Sequence, residues 1–196
     1  MISSSNGDIQ MNGRLNPTLQ ISGLDNHTLG DYWSWAYSDI LTNTNRSIFA
    51  EYLVGAALGV LDVPRIEWDR YDFEYQSVGI EVKSSAYVQS WYQKRPSKIQ
   101  FDIAKKLRWD HTTNTYIPDY PCRCADCYVF CLFTGEEADH ADVLETSRWK
   151  FYVLPTTTIE ERFGEQKSVA LSRIEEVCGS ISHGDLKGCI DSALGF

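Results

Sequence analysis

The chain has 196 residues, 43% hydrophobic and 23% charged, ordinary usage for a globular protein and enough for one domain with or without a tail. Its formal net charge is −9 and its pI about 4.9, which disfavours a histone-like or sliding DNA binder, since counterion release needs clustered Lys and Arg. A metal-dependent enzyme is not disfavoured, because bound cations invert the local field.

No apolar run approaches the ~18 residues that would cross a bilayer, so no membrane association is expected. The opening stretch MISSSNGDIQMNGRLNP has neither a basic n-region nor an apolar h-region, and the expected compartment is the cytoplasm. In that reducing setting Cys122, Cys124, Cys127, Cys131, Cys178 and Cys189 are expected as thiols and not as a disulfide framework.

Residues 1–27, rich in Ser, Asn and Gly, read as an arm or capping segment ahead of a single domain over 28–196. From Thr28, LGDYWSWAYSDIL predicts a helix with Trp33, Tyr37, Ile40 and Leu41 to one side, broken by Asn43, Thr44 and Asn45. A second helix starts near Asn45 or Ser47, either of which could cap it. It carries Ile48, Phe49, Tyr52, Leu53, Ala56 and Ala57 at helical spacing and stops at Gly59. The period then changes to two. RIEWDRYDFEY and IEVKSS alternate around QSVG, a hairpin with a loop longer than two residues.

AYVQSWYQ reads as a helix or irregular turn, KIQFDIA as a strand, and 108–121 as loop. CYVFCLFTG is an apolar run bounded by turn signals, a buried strand, and WKFYVLP is a further strand stopped by Pro155. TTIEERFGEQ and LSRIEEVCGSI read as helical. The order predicts an α/β fold with a central mixed sheet flanked by helices.

The stretch from Asp72 to Lys83 carries the chemistry. Alternation along a strand puts Glu81 and Lys83 on one face while Ile80 and Val82 face the core. An antiparallel hairpin can set Asp72 opposite Glu81, so that two carboxylates and an ammonium converge at the edge of the sheet. Two hard oxygen ligands suit Mg²⁺ (or Mn²⁺), which keeps waters and adds substrate phosphate oxygens. Lys83 could orient the attacking water or stabilise charge on phosphorus. The plainer alternative is an exposed edge-strand face with a cross-strand ion pair from Lys83 to Asp72.

This D…ExK hairpin, preceded by a helix bearing a Glu, resembles the signature of the PD-(D/E)XK nuclease superfamily. The longer run IEVKSSAYVQSW, then KIQF, YVFCLF and WKFYVLPTT, is similar to a bacterial group in that superfamily whose biology is largely unassigned. The likeness covers roughly residues 45–175. It implies a restriction-endonuclease-like core, a divalent metal (Mg²⁺), and hydrolysis of DNA, of restriction or defence type. It also implies Glu51, on the preceding helix, as a further metal ligand beside Asp72 and Glu81; taken by itself, Glu51 reads equally as a solvated helix flank. Asp69 is the alternative to Asp72, because in a regular strand the two face oppositely; Asp72 stands where the pattern places its Asp, though no Pro precedes it. A chain of this size that cuts both strands would act as a homodimer. The competing expectation is a nuclease-fold protein that binds nucleic acid or a protein without cleaving.

Other residues are candidates by position. Gln89 and Ser84 follow the ExK closely and could contact substrate; a surface Gln and a strand-end Ser are the plainer readings. Lys94, Arg95 and Lys98, with Lys105, Lys106 and Arg108 further on and Trp91, Tyr92 and Trp109 interleaved, could track a phosphate backbone, or form a solvated loop. Cys122-x-Cys124-x-x-Cys127-x-x-x-Cys131 lacks paired knuckles and places Cys127 and Cys131 on one face of an apolar strand, so buried thiols are expected and no zinc. His27, His111, His140 and His183 show no metal-ligand spacing.

Overall fold

The computed structural model describes residues 13–107, 109–116, 120–135 and 140–196; Arg108 and most of the 1–27 arm's first half lie outside that range. The centre is a four-stranded sheet in the order β1 (Phe73–Tyr75), β2 (Val78–Ala86), β6 (Cys127–Phe133), β7 (Trp149–Pro155). The β1–β2 and β6–β7 pairs are antiparallel and β2–β6 is parallel. Two two-stranded ribbons accompany it, β3 (Gln100–Asp102) with β8 (Ser168–Ala170) and β4 (Trp109–Asp110) with β5 (Thr115–Tyr116). The fold is thus mixed α/β, and among the described residues no helix is long and apolar enough to cross a membrane.

Strand β6 is buried at all seven positions, so alternation divides its side chains between two cores. Cys127, Val129, Cys131 and Phe133 join Ile80, Val82 and Phe151 under the helices α2 (Asn43–Leu58) and α6 (Leu186–Leu194). Tyr128, Phe130 and Leu132 face the other way. They pack on Phe101 and Val169 of the β3–β8 ribbon and on Ile159, Phe163 and Ile174 of α4 (Thr156–Phe163) and α5 (Leu171–Glu175). A continuous apolar run is what a strand covered on both faces requires. A short helix, α3 (His140–Leu144), precedes β7.

Helix α1 (Leu29–Tyr37) opens on a reciprocal cap: Asp31 N–H donates to Thr28 Oγ1 while the Asp31 carboxylate accepts from the Thr28 N–H. It ends at Tyr37, short of the predicted stripe, and buries none of its side chains. Leu41 lies beyond it, fully buried. Helix α2 starts earlier than its sequence predicts, because Thr42 supplies the cap, its hydroxyl accepting from Asn45 N–H at 3.2 Å. Its end is the expected one. Gly59 adopts φ 72 and closes the helix by donating to Ala56 and Gly55 carbonyls, a left-handed cap that glycine takes without steric cost. The face carrying Ala50, Leu53, Val54 and Leu58 is buried against β2.

The hairpin turn is tighter than the alternation predicts. Tyr75 pairs with Val78, leaving a two-residue loop, and both Gln76 (φ 49) and Ser77 (φ 67) are left-handed, the geometry whose twist matches the strands. Gly79 belongs to the strand. A Cβ there would meet the Tyr71 ring at 2.4 Å, so glycine lets that ring lie on the sheet. The long alternation over 66–75 yields only the three residues of β1. Upstream, Arg70 N–H donates to the Asp69 carboxylate at 2.8 Å, a local bond that competes with a ladder.

Candidate metal and phosphodiester site

The shortness of β1 creates the site. Phe73 is the first ladder residue, opposite Ile80, and Asp72 N–H still donates to Ile80 O at 3.0 Å. Past that point β2 is an edge strand, and a bare edge N–H needs an acceptor. The Asp72 carboxylate provides it: Val82 N–H donates to Asp72 Oδ2 at 2.6 Å. Asp72 is thereby pinned at the sheet edge across from Glu81.

Glu81 and Lys83 project from the face of β2 opposite Ile80 and Val82, as alternation requires, beside Tyr128 and Phe130 of β6. Lys83 Nζ donates to Glu81 Oε1, both side chains about a fifth exposed. The lysine partner is therefore its own-strand neighbour and not Asp72. Asp72, Glu81 and Lys83 all line one cleft of about 990 Å³.

Glu51 reaches the region from α2. It is buried, and Arg65 clamps its carboxylate with two bonds, Nε–Oε2 at 2.5 Å and Nη2–Oε1 at 2.9 Å. Glu51 and Asp72 both line a second hollow of about 500 Å³, so Asp72 borders both cavities and Glu51 only the second. Among the described residues no three His, Cys, Asp or Glu side chains are gathered closely enough to hold an ion by themselves.

The electrostatics mark Asp72. Burial, then Glu81, then Glu51, push its carboxyl from 3.8 to about 7, against the opposing Val82 N–H and Lys83. Burial alone would lower the Lys83 ammonium, but Glu81 and Asp72 outweigh it and hold lysine above its ordinary range.

The remaining sequence candidates are scattered. Asp69 lines both cavities, but its Oδ2 meets His111 Nδ1 at 2.9 Å. Gln89 is buried, and lines neither cavity. It accepts from Arg46 Nη1 at 3.1 Å and donates to Ala86 O and Ser97 Oγ, an internal brace in place of the surface side chain expected. Ser84 shares the parity of Ile80 and Val82 and meets Ser47 Oγ of α2 at 3.2 Å, on the face opposite Lys83. Lys94, Arg95 and Lys98 are exposed and absent from the described lining of the cleft.

Cys127 and Cys131 are buried thiols, fully enclosed under α2 and α6. Burial pushes Cys127 up to about 12, and Cys131 is raised by burial with Asp72 and Glu51 adding to it. Cys122 and Cys124 are instead partly exposed, 3.1 Å apart at sulfur, and line the cleft.

The sequence reading passed over Asp102, Tyr128 and His111, all of which line the cleft. Burial would raise Asp102, but Lys106, 2.8 Å away, keeps it below the ordinary carboxylate range. Tyr128 stands beside Glu81 in the parallel register, which the alternation of CYVFCLF could have placed had the pairing been known. His111 carries no local signal; only its contact with Asp69 distinguishes it. Comparison with known proteins finds no matching family model, no matching curated protein and no matching solved structure.

Proposed function

We propose that the protein is a Mg²⁺-dependent endonuclease that hydrolyses DNA phosphodiester bonds through Asp72, Glu81 and Lys83, on a restriction-endonuclease-like core. The observation that carries this reading is the convergence of Asp72 and Glu81 beside Lys83 at the edge of β2, with the Asp72 carboxyl pushed up to about 7 by burial and by its acidic neighbours. Like-charged carboxylates held together out of water favour a cation between them.

The donor set suits such an ion. Asp72 commits Oδ2 to Val82 N–H, and Glu81 commits Oε1 to Lys83; the second oxygen of each is the donor a hard cation would take. Two carboxylates, with water and phosphate oxygens completing the shell, is the usual arrangement for Mg²⁺. When bound, the ion acidifies water and offsets charge developing on phosphorus. Asp72 and Glu81 would hold the ion through those second oxygens. Lys83, kept charged by Glu81 and Asp72, hydrogen-bonds the attacking water or a phosphate oxygen. Glu51 joins this set only if its Arg65 clamp opens.

One observation favours binding without cleavage. The clamp on Glu51 and the Lys83–Glu81 pair already neutralise two of the three carboxylates, which leaves a cation less to offset. Incubation of a single-stranded DNA circle and of duplex plasmid with Mg²⁺ or Mn²⁺, with and without chelator, decides between the two. Metal-dependent cleavage of either substrate that is lost in Glu81→Ala supports hydrolysis; both substrates intact throughout refutes it.

A further inference from the structure

The cleft in front of Glu81 and Lys83, at about 990 Å³, holds far more than a phosphate and an ion, and its walls are aromatic. Trp109 and Tyr116, paired across the β4–β5 ribbon, meet edge to face with centroids 5.1 Å apart. Trp68 enters from the segment ahead of Asp72. Trp68 is 74% exposed and Tyr116 57% exposed, so neither ring is consumed by core packing. A ribbon of two residues per strand is marginal alone. This one is tied to the segment that carries Asp72 by the His111–Asp69 contact at 2.9 Å, and both its rings line the cleft.

Charge narrows the occupant. The carboxylates lining the cleft outnumber Arg70, Lys83 and Lys106. Lys83 is paired with Glu81 and Lys106 with Asp102, and the chain as a whole carries −9. A duplex is gripped mainly through phosphates by clustered cations, which this cleft lacks among its described residues. An unpaired strand also offers the faces of its bases, and stacking on aromatic rings adds about 1–3 kcal/mol per base beyond what phosphate contacts supply.

We infer that the cleft takes single-stranded DNA, stacking bases on Trp68 and on the Trp109–Tyr116 pair and presenting the adjoining phosphate to Asp72, Glu81 and Lys83. The inference rests on the hydrolase reading of that site and specifies its substrate. Preference for an unpaired strand comes from base faces that a duplex hides.

The test measures fluorescence anisotropy of a labelled oligo-dT and of a labelled mixed-sequence duplex with the full chain, in Ca²⁺ to suppress cleavage. The single strand binds at least about tenfold tighter than the duplex. Trp68→Ala and Trp109→Ala each weaken it roughly 5- to 150-fold, the worth of one stacked base, while Trp68→Phe keeps most of the affinity and so separates stacking from misfolding. Duplex binding as tight as single-strand binding overturns the inference, as does wild-type affinity in both alanine variants. Cleavage of each substrate in Mg²⁺ or Mn²⁺ is scored separately: no cleavage at all refutes the hydrolase reading, whereas cleavage with equal use of duplex refutes only the strand preference.

Discussion

Replacing Asp72 with Asn tests the electrostatics of the site apart from any substrate. The amide oxygen can still accept the Val82 N–H that Asp72 Oδ2 accepts at 2.6 Å, so the sheet edge keeps its bond while the charge disappears. In the wild type the carboxyl is raised from 3.8 to about 7, first by burial, then by Glu81 and Glu51. The folded state therefore holds this proton to higher pH than the unfolded state does, and stability falls as pH rises between the two values. A shift of that size corresponds to about 4 kcal/mol in total, with roughly 2–3 kcal/mol lost between pH 5 and pH 8 at ~1.4 kcal/mol per pH unit. Urea unfolding in EDTA, repeated from pH 5 to pH 8, should show the wild type losing about that much relative to Asp72→Asn, which is the more stable protein at pH 8. Mg²⁺ at 100 times its dissociation constant should return about 2.7 kcal/mol to the wild type alone. Parallel pH dependences for the two proteins, or equal gains from Mg²⁺, would refute the claim that Asp72 is a strained carboxylate awaiting a cation.

Glu81→Ala and Lys83→Ala should each lower metal-dependent DNA cleavage by about 10²–10³-fold, but calorimetric titration should separate them: Glu81→Ala loses Mg²⁺ affinity, and Lys83→Ala keeps or tightens it because a competing cation has gone. Arg65→Ala releases the Glu51 carboxylate, itself about a tenth exposed at the side chain. Apo stability should fall by about 1–3 kcal/mol and Mg²⁺ should bind tighter; unchanged affinity would remove Glu51 from the site. Thiol labelling of the native chain should modify Cys122 and Cys124, which line the cleft, and reach Cys127 and Cys131 only on unfolding. Early labelling of Cys131 would contradict its burial between α2 and the sheet.

The alternation of Ile80, Glu81, Val82 and Lys83 told which side chains share a face, because strand geometry is local and its period is two. The apolar run CYVFCLF likewise announced a buried strand, and Gly59 announced the end of α2. Where local signals compete, the reading slipped. Asn45 and Ser47 both look like caps, yet Thr42, one turn earlier, is the residue used. The alternation of RIEWDRYDFEY promised a long strand, but the ladder begins only at Phe73.

Partner choice was beyond the sequence, since it depends on segments far apart in the chain. Nothing near Gln89 shows that Arg46, 43 residues earlier, draws it into the core. Nothing near Glu51 shows that Arg65 holds its carboxylate, and nothing near Trp109 shows that His111 docks its ribbon against Asp69. The sequence by itself determined the chemical character of the site, an acid–acid–lysine set on one strand and its neighbour, because side-chain type and strand parity are properties of a few consecutive residues. The tertiary structure alone decided which carboxylate is buried and raised. That depends on where β1 stops and on which edge N–H, helix and cation Asp72 then meets.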